Sequence, residues 1–162
     1  MIRRAMALLF VAAACGPGAP GGPMSGRVQQ DVEAAPDIQS NDVLNREPVT
    51  NRAQVKHVLL SWDELAPLYK GAQDRRGKAR TREQADQLAT SLAEQIRAGA
   101  DIDKLMREWS EDQGSAAGAT SYEVKPDSQY VFEFRRLALR LNVGEVGLVK
   151  TIYGWHVTKR IE

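Results

Sequence analysis

Residues 52–162 predict an α+β domain, a small mixed β-sheet flanked by three to four helices, and three features carry that expectation. Ala53–Leu60 is an extended apolar run whose two faces, Val55/His57/Leu59 and Lys56/Val58/Leu60, are both largely hydrophobic, as in a central strand. Ala85, Leu88, Ala89, Leu92 and Ile96 recur at helical spacing and form one apolar stripe. Two short apolar runs, Leu148–Thr151 and Trp155–Ile161, flank Tyr153-Gly154, a turn signal, since glycine tolerates backbone angles other residues avoid. Strands separated by helices in a chain of this size give an α+β layering.

The elements follow in order. Ser61–Arg80 is a long irregular insertion, because Pro67, Gly71 and Gly77 argue against one continuous helix. Its basic residues, Arg75, Arg76, Lys78 and Arg80, read either as a solvated loop or as a mouth that attracts acidic or phosphorylated peptide. Thr81 and Gln84 make a capping box that opens the first helix, and Gly99 is placed to stop it. Asp101 caps a shorter helix with Ile102, Leu105, Met106 and Trp109 on one face. Ser110–Gly118 is small, polar and flexible, and Tyr122-Glu123-Val124 is a short strand. Asp127 or Ser128 caps a third helix that carries Val131, Phe134, Leu137, Ala138 and Leu141. Asn142–Gly147 is a turn, and in the final strand His156, Thr158 and Arg160 share one face.

The whole chain has 162 residues and a net charge of +1, room for one domain with extensions and no general case for a nucleic-acid partner. Cys15 is the single cysteine, so no internal disulfide forms. Residues 1–15 read as a targeting segment: Arg3 and Arg4, then an apolar run from Ala5 to Ala14 too short to span a bilayer as a helix. Small residues before Cys15 resemble a bacterial lipoprotein signal, which implies acylation of Cys15; Ala12-x-Ala14 also fits an ordinary secretory cleavage site. Residues 16–51, rich in Gly, Pro, Ala and acidic side chains, read as a disordered linker that tethers the domain to a membrane. The lack of Asp after Cys15 resembles signals sorted to the outer membrane, so the expected place is the periplasmic face of that membrane in a bacterial envelope.

Only two histidines occur, His57 and His156, each in a predicted strand, and a sheet can bring them together. Two distant histidines do not supply a zinc site, Ser110 and Ser115 lack a nucleophile motif, and no Gly-rich phosphate loop is present. Lys56-His57-Val58, Thr81–Ala85, Gly99–Leu105, Trp109–Ala116, Phe134–Leu141, Gly144-Glu145-Val146 and Lys150-Thr151 with Gly154-Trp155-His156 resemble, in order and spacing, the parvulin family of peptidyl-prolyl cis/trans isomerases.

That resemblance implies paired histidines His57 and His156 beneath an active site. It places Asp112 facing the substrate peptide bond and Thr151 as a hydroxyl in the histidine network. It makes Phe134 the aromatic wall of a proline pocket, with Tyr130 in place of the usual methionine and Tyr122 in place of the usual leucine. The chain departs from the family where a Gly-Gly-Asp-Leu-Gly run is usual and reads Gly118-Ala119-Thr120-Ser121-Tyr122-Glu123 instead. The implied function is isomerisation of X-Pro bonds in unfolded or exported polypeptides by a monomer that needs no metal or cofactor. The alternative is a parvulin-shaped chaperone or peptide-binding module with little turnover.

Overall fold

A computed structural model describes residues 37–162; residues 1–15, with the Cys15 acylation site, and the first part of the expected linker lie outside the described residues. Four strands, β1 (Ala53–Leu60), β2 (Tyr122–Val124), β3 (Val146–Thr151) and β4 (Gly154–Arg160), form one sheet in the order β2-β1-β4-β3. Every pairing is antiparallel, where the sequence reading expects a mixed sheet. β1 and β4 are central, in keeping with burial on both faces of each.

Five helices accompany the sheet among the described residues: α1 (Asn41–Leu44), α2 (Arg75–Lys78), α3 (Arg82–Arg97), α4 (Ile102–Trp109) and α5 (Phe132–Ala138), with a 3₁₀ segment at Asp63–Tyr69. The Thr81/Gln84 capping box is formed in both directions, and Asp101 caps α4 by accepting from the Asp103 amide. On one face of the sheet Val58, Leu60, Leu148, Trp155 and Val157 pack against Ala85, Ala89, Leu92 and Met106 of α3 and α4. α3 also buries Asp86, whose carboxylate accepts from the Trp155 indole N–H at 2.5 Å, so the tryptophan is buried without an orphaned donor. The other face meets α5, through Val55, Val124, Phe134 and Ala138, and α1, through Val43, Leu44, Leu137 and Val149.

Three expectations change. Residues 40–51 belong to the packed body: Ser40 exchanges hydrogen bonds of 2.9 Å with Leu148, and Val43 and Leu44 are buried, so this stretch covers the outer edge of β3. Two apolar side chains in a polar run suffice to dock it. α5 begins at Phe132 with no side-chain cap, because the Ser128 hydroxyl accepts from the Lys125 amide and closes a turn there instead. Ser110–Gly118 is tied down: Ser110, Glu111 and Ser115 are buried, the Glu111 amide donates to Leu59 O at 2.9 Å, and Ser110 Oγ accepts from the Leu59 amide at 3.1 Å. This short stretch occupies the edge of β1 beyond the reach of β2.

Gly154 opens β4 at φ +129°, and a Cβ there would lie 2.2 Å from Leu60 O. Only glycine lets the β3–β4 turn approach the end of β1 so closely.

Candidate active site

The sheet register assembles the site. His57 pairs with Thr158 and Leu59 with His156, so the two histidines are diagonal neighbours on adjacent strands and share one face. β2 pairs Tyr122 with Val55, which sets the tyrosine on that same face, diagonal to His57. Asp112 comes from the stretch docked on β1, and Phe134 comes from α5, with its ring centroid 5.1 Å from each histidine.

A hydrogen-bond chain links these residues. His57 Nε2 lies 3.0 Å from Asp112 Oδ2, His57 Nδ1 lies 2.9 Å from His156 Nδ1, and His156 Nε2 lies 2.9 Å from Thr151 Oγ1. Both histidines are buried, and the partners assign the protons. Asp112 Oδ2 also accepts from the Ser115 hydroxyl at 2.6 Å and the Tyr122 hydroxyl at 2.7 Å, while Oδ1 accepts from the Gly114 amide at 3.1 Å. Burial alone would raise its pKa. The hydrogen bonds from His57, Ser115 and Tyr122 outweigh that effect and hold the carboxyl well below its ordinary value. An ionised Asp112 requires the proton on His57 Nε2. With one proton on each ring, His156 Nδ1–H donates to His57 Nδ1, and the Thr151 hydroxyl donates to His156 Nε2. Thr151 Oγ1 in turn accepts from the Tyr153 amide at 3.1 Å. All the donors along the chain thus point towards Asp112.

The electrostatics agree with that direction. Burial pushes His156 well below its ordinary value, so it stays neutral. Burial and then the Asp112 carboxylate push the Tyr122 phenol up to about 12, so it remains a donor.

Above the histidines a cleft of about 420 Å³ is lined by Tyr122, Tyr130, Phe134, Asp112, Tyr69 and Tyr153, among others. Tyr130 meets Tyr122 and Phe134 edge to face, at 5.4 and 5.9 Å, and these three rings form an aromatic cage beside the histidines. Such a cage fits a compact apolar ring, and its floor presents a fixed carboxylate. Among the described residues no group of three or more His, Cys, Asp or Glu side chains is placed to hold a metal ion.

His57, Asp112, Thr151, His156, Tyr122, Tyr130 and Phe134 therefore converge. Arg75 and Arg76 do not line the cleft. Arg75 is exposed, and Arg76 is committed elsewhere: it donates to the carbonyls of Glu108 at 2.8 Å and Ser110 at 3.0 Å and pairs with Asp74, so it closes the C-terminal end of α4. Arg80, read as part of the same basic loop, is buried and bonds Glu111 Oε1 at 2.6 Å. Glu111 Oε2 accepts from the Ser61 amide at 2.8 Å and its hydroxyl at 2.5 Å. Gly77 packs on this network, where a Cβ would meet Ser61 Oγ at 1.9 Å; it is there for close contact and not as a helix breaker.

Sequence reasoning missed Ser115, Glu111, Arg80, Tyr69 and Tyr153. Ser115, three residues after Asp112, had a local signal, because a hydroxyl at that spacing can fold back onto a carboxylate. The others are joined only by the fold.

The chain has relatives among known proteins. A family described as the PPIC-type PPIASE domain matches residues 41–162. The chain is 29% identical over 109 residues to Foldase protein PrsA of Geobacillus kaustophilus, covering 67% of this chain and 39% of that protein. It is 29% identical over 110 residues to Chaperone SurA of Pseudomonas fluorescens, covering 67% of this chain and 22% of that one. The chain thus matches less than half the length of these relatives. Among solved structures, peptidyl-prolyl isomerase ESS1 from Candida albicans has a TM-score of 0.58 at 21% identity, over 69% of this chain and 63% of that one, and so shares the fold.

Proposed function

The chain belongs to the PPIC-type peptidyl-prolyl isomerase family, and on that premise we propose that its cleft binds X-Pro segments of unfolded or exported polypeptides and speeds their cis/trans exchange. The observation that carries this reading is the chain Asp112–His57–His156–Thr151 directly beneath an aromatic cage. X-Pro rotation is slow because amide resonance must be broken, a barrier of roughly 18–20 kcal/mol for an ordinary peptide bond. A catalyst need only hold the twisted amide better than the planar one. Tyr122, Tyr130 and Phe134 take the proline ring and exclude water from the amide. Asp112, kept ionised and immobile by three donors, presents a fixed negative charge near the carbonyl carbon. His156 and Thr151 keep His57 in one tautomer. The step makes no covalent bond and consumes no cofactor.

The test is NMR exchange between cis and trans forms of an Ala-Pro and a Glu-Pro peptide with the full chain. Acceleration of the Ala-Pro peptide is the expected result. No acceleration of either peptide at high protein concentration removes the isomerase reading. A holding role without turnover is favoured by the absent glycine run at Gly118–Glu123, and the same measurement separates the two readings.

The first fifteen residues support a second proposal, that Cys15 is acylated and anchors the protein in the bacterial envelope, at the periplasmic face of the outer membrane. Cys15→Ser is expected to move the protein from the membrane to the soluble fraction. A variant that stays with the membrane counts against the anchor.

A further inference from the structure

Two elements carry the ends of the site. β3 finishes at Thr151, the last member of the hydrogen-bond chain, and α5 carries Phe134, the aromatic wall. Residues 39–49 bridge the two. On the β3 side, Ser40 exchanges two hydrogen bonds with Leu148, and the Lys150 amide donates to Gln39 Oε1 at 3.2 Å, one residue before Thr151. On the α5 side, Arg136 Nε and Nη2 both donate to Leu44 O, at 3.1 and 2.7 Å, and Arg140 Nε donates to Arg46 O at 2.6 Å. The Val49 amide donates to Leu139 O at 2.9 Å, just past the end of α5. Between these contacts Val43 and Leu44 are buried with Leu137, Leu141 and Val149. That cluster borders the site. Val149 is paired directly with His156, so the two share a face of the sheet, and Leu137 stands one turn along α5 from Phe134, whose ring lies 5.1 Å from that of His156.

We infer that residues 39–49 are a positioning strap for the cleft: docked, they fix α5 against β3 and so set the Phe134 wall over His156 and Thr151; undocked, they release that wall. The inference rests on the reading of the cleft as a prolyl-peptide site. It makes Gln39, Ser40, Val43, Leu44 and Arg136 positioning residues, none of which lines the cleft itself. α5 has reason to need such a strap. It is seven residues long and starts without a side-chain cap, so its place depends on packing and not on its own helical stability. Two of its arginine-bearing turns end on strap carbonyls. A peptide that requires the wall in place binds the docked form, so peptide binding and strap docking favour each other by the same factor. A strap that only covered the edge of β3 would show no such coupling.

The experiment is amide hydrogen exchange followed by NMR on the full chain, with and without a saturating Ala-Ala-Pro-Phe peptide. The Ser40, Val49 and Lys150 amides report docking, because each is bonded across the strap. The Ala100 amide, bonded to Gln95 O at the end of α3 on the other face of the sheet, reports local opening elsewhere. The peptide is expected to slow exchange at the three strap amides about fivefold and to leave Ala100 unchanged. Arg136→Ala is expected to weaken binding of the labelled peptide, read by fluorescence anisotropy, by about the same factor, and Arg136→Lys, which restores one donor, to recover part of it. Leu92→Ala, a core substitution behind the sheet, is expected to cost stability and leave the affinity of the folded protein as it was. Strap exchange that the peptide does not change, equal slowing at Ala100, wild-type affinity in Arg136→Ala, or an equal loss in Leu92→Ala overturns the strap. The exchange measurement on the wild type decides even where Arg136→Ala does not fold. A protein whose strap is protected by the peptide but which does not speed cis/trans exchange keeps the strap and loses the isomerase reading; one that does not bind the peptide loses both.

Discussion

Glu111→Ala is expected to destabilise the fold by about 3–5 kcal/mol, the range seen when one member of a buried ion pair is removed. The Glu111 side chain is 1% exposed and that of Arg80 9%, so the arginine would stay inside without its counter-charge. Loss of the carboxylate also orphans the Ser61 amide and hydroxyl, each of which has Glu111 Oε2 as acceptor. Arg80 keeps one bond, to Ser61 O at 2.8 Å, which does not neutralise it. Urea unfolding followed by circular dichroism gives the number. Arg80→Ala is expected to cost a similar amount, and the double variant clearly less than the sum, because the second substitution removes the charge the first one strands. A loss below about 1 kcal/mol for Glu111→Ala would mean that water already enters the pair.

Asp112→Asn is expected to lower kcat/KM on an Ala-Pro peptide by about a hundredfold, near 2.7 kcal/mol of lost transition-state stabilisation. The amide has the shape of the acid but not its bonding pattern. With its NH₂ at the Oδ2 position it faces three donors, from His57, Ser115 and Tyr122; with the NH₂ at Oδ1 it faces the Gly114 amide. Either way the charge under the cage is gone, and in the first orientation His57 also loses the acceptor that fixes its tautomer. Full activity in this variant would remove Asp112 from the mechanism. The acid side of the stability profile reports on the same group. Its folded pKa is below the ordinary 3.8, so its stabilisation is complete above that value and is lost as pH falls through it towards the folded pKa. Unfolding measured from about pH 4 downwards should show that loss in the wild type and a shallower one in Asp112→Asn.

The periodic elements were legible in sequence for a physical reason. β1, α3 and α4 bury one or two continuous faces, and burial leaves a pattern every two or every three to four residues. The seven residues that converge on the cleft were legible through the order and spacing of family motifs; neither histidine is distinctive alone. Arg76 and Arg80 sit in one basic run and look alike, yet one closes a helix end and the other neutralises a buried glutamate across 31 residues. Nothing local separates them, because the partner that decides the role is chosen by tertiary contact. The same holds for residues 40–51, whose composition is that of a linker and whose docking depends on β3 leaving an edge open. At Ala119 the chain takes a left-handed conformation, φ +48°, without the glycine such a position favours, and its burial shows it held there by neighbours.

The order of the strands also bears on when the site can exist. Both neighbours of β1, β2 and β4, lie downstream of it in sequence, and His57 meets His156 across 99 residues. A ribosome or an export channel delivers β1 first, and β1 then waits, apolar on both faces, until β4 has emerged. Contacts of that separation make folding slow relative to helix formation. During this interval β1 is an unpaired, aggregation-prone strand. A protein whose proposed task is to handle unfolded chains thus passes through a stage in which it is one itself.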